Sequence, residues 1–119
     1  MAAATYDTTI EQGADWAIGL ALTKNNGRPL PLDGYTAEGQ IRTEHNDPVV
    51  LADIIIDFDE NRKTGKLTFS LPKEVTKTFT FSKAVYDIKL TDSFGRTKRL
   101  IQGKITLSPE VTKDAVVTP

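Results

Sequence analysis

Residues 84–107 read AVYDIKLTDSFGRTKRLIQGKITL. Two runs of alternating apolar and polar residues flank a turn. In the first run Ala84, Tyr86, Ile88 and Leu90 fall on one face, and Val85, Asp87, Lys89 and Thr91 on the other. A period of two is the signature of a half-buried strand. Asp92-Ser93-Phe94-Gly95 has the composition of a type I turn closing a hairpin. The second run puts Thr97, Arg99, Ile101, Gly103, Ile105 and Leu107 on one face, and Lys98, Leu100, Gln102, Lys104 and Thr106 on the other. Tyr86, Ile88, Leu90, Ile101, Ile105 and Leu107 can then share one buried surface. At about 1.5–3 kcal/mol each, they contribute roughly 9–18 kcal/mol before entropy is subtracted. This hairpin is the expected nucleus of a small all-β domain.

A length of 119 residues favours one domain with a core that needs no staples. There is no cysteine, which excludes disulfides and thiolate metal sites. The opening MAAATYDTT has neither a basic region nor an apolar core, so it does not read as a signal peptide. No apolar run approaches the ~20 residues of a membrane span. The expectation is a soluble protein with no membrane contact.

Charge is unevenly placed. Residues 1–61 hold 3 basic and 11 acidic residues, a net of −8; residues 62–119 hold 12 basic and 5 acidic, a net of +7. Either strands from the two halves interleave and pair their charges, or the molecule has an acidic and a basic surface suited to head-to-tail contact. The basic half lacks interleaved aromatic residues for base stacking, so no nucleic-acid partner is expected.

Residues 1–5 read as a flexible N-terminal arm, 6–112 as the domain and 113–119 as a C-terminal tail. Tyr6, Thr8 and Ile10 start a short strand. Residues 15–23 give a clear one, with Trp16, Ile18, Leu20 and Leu22 on one face and only Ala17, Gly19 and Ala21 on the other. Asn25-Asn26-Gly27 is a strong turn, and Pro29 and Pro31 forbid a central strand after it. Tyr35, Ala37, Gly39 and Ile41 alternate next. Residues 49–58 read as one strand with apolar residues on both faces, and Leu67, Phe69 and Leu71 as another. Residues 73–81 read as one helical turn and an extended return. The expected core is Trp16, Ile18, Leu20, Tyr86, Ile88, Leu90, Ile101 and Ile105.

Motifs for chemistry are sparse. His45 is the single histidine, in a loop beside Asn46 and Asp47. Asp57, Asp59 and Asn61 imitate the start of an EF-hand loop, but Arg62 stands where Gly belongs and Thr68 where Glu belongs. The glycines form no phosphate loop. No enzyme, metal or cofactor is expected. Seven or so short strands argue an antiparallel β-sandwich. Tyr86, two residues before Ile88, is similar to the tyrosine corner of immunoglobulin-like domains, with Ile88 in place of the second cysteine.

Residues 27–37 (GRPLPLDGYTA) followed by Gln40-Ile41-Arg42 resemble a G-x-P-x-D-L-T-G-Y-T-A-x-x-Q-I-R run in small structural proteins of tailed phages. The resemblance continues at Tyr86-Asp87-Ile88-Lys89-Leu90 with Asp92 and Gly95, at residues 99–105 (RLIQGKI) and at residues 108–112 (SPEVT). It covers about residues 6–112 and is to the N-terminal domain of upper baseplate proteins of tailed bacteriophages. It implies an immunoglobulin-like sandwich of about seven strands. The implied role is that of a non-enzymatic virion component of the tail, the baseplate or a fibre adaptor. Its partners would be other tail, baseplate or head–tail connector subunits. It would form a homo-oligomer on the virion and be assembled in the bacterial cytoplasm. Upper baseplate proteins continue into helices and a receptor-binding dock. Nothing here resembles that region, so the resemblance does not extend to receptor attachment. A capsid decoration protein is the alternative within the same class. A carbohydrate-binding sandwich is the alternative outside it, with Phe79, Phe81 and Phe94 as candidate aromatics.

Overall fold

In the computed structural model, which describes residues 3–112, nine strand segments follow one another. They are β1 (Ala4–Thr5), β2 (Thr8–Glu11), β3 (Trp16–Ala21), β4 (Thr36–Arg42), β5 (Ala52–Asp53), β6 (Ile55–Phe58), β7 (Lys66–Leu71), β8 (Lys83–Thr91) and β9 (Thr97–Ser108). One helical turn, α1 (Lys73–Thr76), lies between β7 and β8. The larger sheet has the order β1/β2-β9-β8-β4-β5, and the smaller has the order β3-β7-β6. The two pack face to face as an immunoglobulin-like β-sandwich. Residues 1–2 of the expected arm and the expected tail at 113–119 lie outside the described residues.

The hairpin forms as its alternation dictates. Strands β8 and β9 pair antiparallel from Lys83↔Thr106 to Thr91↔Thr97. Asp92 holds the turn: its Oδ1 accepts from the Phe94 and Arg96 amides at 2.9 and 3.0 Å, and its Oδ2 from Arg96 Nε at 2.9 Å. Tyr86, Ile88, Leu90, Ile101, Ile105 and Leu107 are all buried. The expected faces fail at one point. Ile88 lies opposite Ile101 but Lys89 lies opposite Arg99, so Leu100 is an extra residue in a β-bulge. The bulge reverses the alternation beyond it, and Thr97 and Arg99 turn outward, both exposed.

The strand expected over residues 49–58 is two pieces in different sheets. Strand β5 pairs with β4 and β6 pairs with β7. Buried Ile54 marks the crossing, its amide donating to the Gly39 carbonyl at 2.8 Å. A side chain serving both sheets in turn explains why that stretch is apolar on both faces. The helical turn of residues 73–81 is present, and it is anchored by buried Thr76, whose hydroxyl donates to the Ala14 carbonyl at 2.8 Å.

Two members of the expected core differ. Trp16 is buried, with its ring edge-on to Tyr86 at 6.5 Å and 78°. Ile18 and Leu20 are only half-buried. Their strand is the edge of the smaller sheet, so their inward side chains are covered from one flank only.

The N-terminal segment also departs from expectation. Ala4 and Thr5 are not a loose arm but pair in parallel with Ile101 and Gln102 of β9. After a break at Tyr6 and Asp7, β2 continues in parallel along β9 from Thr8↔Ile105 to Glu11↔Ser108. At the break the Tyr6 amide donates to the Gln102 carbonyl at 2.8 Å, while the Tyr6 carbonyl bends over Gly103 and accepts from the Tyr86 hydroxyl at 2.6 Å. A tyrosine corner bonds to backbone a few residues upstream; this phenol instead fastens a segment 80 residues away in sequence. A Cβ on Gly103 would collide with the Tyr6 carbonyl.

The charge halves interleave. Strand β7 lies between β3 and β6, and β8 and β9 lie between β2 and β4. Neither sheet is built from one half alone.

Gly103→Ala should therefore destabilise the domain by about 1–3 kcal/mol through overpacking. Urea unfolding checks the size. The residues that lose protection should be Tyr6 and its neighbours, not β4.

Candidate functional site

The outward side chains of β4, β8 and β9 form the most elaborate polar surface of the described residues. They follow from the same alternation that buries Ile41, Ile88 and Ile105. Cross-strand register sets them in rows: Asp53–Gln40–Asp87–Gln102, and beside it Glu38–Lys89–Arg99. An open concavity of about 390 Å³ lies over this face, lined by residues of β4, β8 and β9 and the loop after β4.

Part of this surface is joined by side-chain hydrogen bonds and an ion pair. Gln40 Nε2 donates to Asp53 Oδ1 at 3.3 Å, and Arg42 donates to Gln40 Oε1 at 3.0 Å. Arg99 Nε lies 3.2 Å from Asp87 Oδ2, and its Nη1 donates to Gln102 Oε1 at 3.0 Å. The rim is set by the loop after β4. There Arg42 Nη1 donates to the Asp47 carbonyl at 2.6 Å, and the Asp47 carboxylate accepts from the Thr43 hydroxyl and the Val49 amide. Those two bonds, Thr43 foremost, hold the Asp47 carboxyl below its ordinary range and keep it anionic. The exposed His45 lies in this rim and lines the concavity. The face thus offers fixed charges of both signs, held mostly by neighbours rather than by burial.

The motifs set aside in the sequence fall elsewhere. Asn61 caps a 3-10 turn at Arg62–Thr64, its Oδ1 accepting from the Lys63 amide at 3.1 Å, and Asp59 accepts from the Thr64 hydroxyl at 2.8 Å. These groups serve a tight loop. Among the described residues no three His, Asp or Glu side chains gather to hold a metal. Of the candidate aromatics, Phe79 is buried, Phe81 is half-buried and tilted against it at 5.1 Å, and Phe94 stands exposed at the hairpin tip. They form no shared platform.

Tyr86 lies beneath the concavity, and its phenol is shifted from its ordinary range. Burial pushes it up to about 12, with Tyr6 and Asp7 adding to the shift.

No protein-family model matches the chain, and no curated protein matches it significantly. Among solved structures, it is similar to a crystal structure of a chicken TCR at 9% identity with a TM-score of 0.54. The alignment covers 95% of this chain and 57% of that one, so the chain spans a little over half the length of this neighbour. At that identity the likeness shows the immunoglobulin-like fold and nothing further.

The raised Tyr86 pKa carries a pH dependence. The folded state holds the phenolic proton more tightly than an unfolded chain titrating near 10.0, so its contribution is complete below that pH and drains as pH rises toward about 12. The urea midpoint should fall over that window more steeply in the native protein than in Tyr86→Phe. Equal slopes would mean the phenol is not the group responsible.

Proposed function

We propose that this domain is a non-enzymatic structural component of a tailed-bacteriophage virion, working by protein–protein contact in the tail, baseplate or a fibre adaptor. The observation that carries the reading is the ordered set of sequence runs at residues 27–42, 86–95, 99–105 and 108–112, which resemble upper baseplate N-terminal domains. Those runs are neighbours in space. Strand β4 pairs with β8, and β8 with β9. Gly34, at a φ of +77° that favours glycine, turns against Ser93 of the hairpin turn. Runs separated in sequence but packed together are what an inherited scaffold would retain.

The outer face of the larger sheet supports docking to a protein. It is broad, mixed in charge and already hydrogen-bonded, so it can match a complementary partner without a large desolvation cost at any one group. A sugar platform is less well supported, because Phe79 and Phe81 are turned into the sandwich. In this reading the partners are other virion subunits, and the protein is assembled in the bacterial cytoplasm.

Mass spectrometry and immunogold labelling of particles of the virus that encodes the chain test this. The protein is expected in purified particles, with label at the tail. Glu38→Lys combined with Lys89→Glu should reduce incorporation several-fold while leaving thermal stability within about 1 kcal/mol, since both side chains are exposed and the cross-strand pair stays opposite in charge. Absence from purified particles would overturn the reading, and label confined to the capsid shell would move it to a decoration protein.

A further inference from the structure

We propose that β3 is a self-association edge: two copies pair their β3 strands antiparallel about Gly19, joining two smaller sheets into one continuous six-stranded sheet. This goes beyond the virion reading and does not depend on it.

The first observation is hydrogen bonding. The Leu22 amide donates to the Gly65 carbonyl at 2.8 Å, in the same register as the Trp16↔Leu71 to Ala21↔Lys66 pairs. In an antiparallel pair bonding alternates residue by residue, so Trp16, Ile18 and Leu20 bond to β7. The amides and carbonyls of Ala17, Gly19 and Ala21 then point away from the sheet. Among the described residues none of these takes a backbone partner on that side.

The second is the contrast with the other sheet edges. Strand β5 has 2 residues. Strand β6 has 4, Asp57 among them. The N-terminal edge is broken between β1 and β2 at Tyr6 and Asp7. Short length, charge and interruption are the usual guards against edge-to-edge pairing. Strand β3 is 6 residues long without a charge, a proline or a bulge.

The third names the occupant. The sequence Ala17-Ile18-Gly19-Leu20-Ala21 reads nearly the same in both directions about Gly19, and the flanking Trp16 and Leu22 are both large and apolar. A two-fold axis at Gly19 sets Ala17 opposite Ala21 of the second copy and Ile18 opposite its Leu20. An isologous contact requires this kind of self-complementarity. On the outer face only methyl groups and hydrogen meet, and nothing lies within 4 Å of the space where a Gly19 Cβ would stand. On the inner face the half-buried Ile18, Leu20 and Leu22 gain the cover that an edge strand lacks.

Sedimentation equilibrium of the purified full chain, up to about 1 mM, reads the association. The native protein should reach a dimer. Ala17→Lys with Ala21→Lys sets like charges opposite each other twice and should weaken the dimer about tenfold or more. Ala17→Lys with Ala21→Glu makes both cross pairs opposite in charge and should retain it. All these positions are exposed, and a thermal melt checks that both variants fold. Gly19→Cys puts the chain's sole thiol on the axis, where paired Cα atoms lie about 5.5 Å apart, so mild oxidation should link the dimer. A native protein that stays monomeric throughout overturns the proposal, as does a dimer indifferent to the double lysine variant. A monomer that dimerises only after residues 113–119 are deleted also overturns it, because the edge would then belong to the chain's own C-terminal segment.

Discussion

The N-terminal strands hydrogen-bond in parallel to β9 rather than to β3, and much of the architecture follows from that choice. It gives β9 partners on both sides and makes the larger sheet the broader layer. Three features fix it at one point: the break at Tyr6, the missing side chain at Gly103, and the Tyr86 hydroxyl bonded to the Tyr6 carbonyl. The aromatic contact between Trp16 and Tyr86 then ties the phenol to the smaller sheet. The same choice withholds a partner from β3. An edge strand results, with its inward Ile18 and Leu20 half in solvent.

How far this was legible depends on distance along the chain. The β8–β9 hairpin is local, and its buried row could be read directly from the period of two. Strand β4 was readable for the same reason, down to the buried Gly39 and Ile41. Three features were not. The bulge at Leu100 leaves no mark in the alternation, because Arg99 and Ile101 continue the pattern on paper. The switch of sheets at Ile54 mimics one strand covered on both faces. The parallel addition of β1 and β2 depends on contacts between residues 4–11 and 101–108, which no local pattern encodes.

The outer face of the larger sheet was partly legible. Its residues could be assigned outward from the alternation in β4 and β8. Their joining into rows could not, because Asp53, Gln40, Asp87 and Gln102 meet only through the register of four strands. Strands from the −8 and +7 halves share each sheet, as where Glu38 stands beside Lys89. The result is a surface of mixed sign, which under the proposed docking role would specify orientation better than it attracts a uniformly charged partner.

The central claim is that β9, held from both sides, is the structural spine, while β3 is a lightly held edge. Native-state hydrogen exchange of the backbone amides tests it most directly. At protein concentrations low enough to keep the chain monomeric, the amides of Ile101, Gln102 and Ile105 should exchange only through global unfolding, with free energies equal to that from denaturant melts. The amides of Ala17, Gly19 and Ala21 should exchange orders of magnitude faster. Protection at Gly19 equal to that at Ile105 in the monomer would contradict the account, as would rapid exchange along β9.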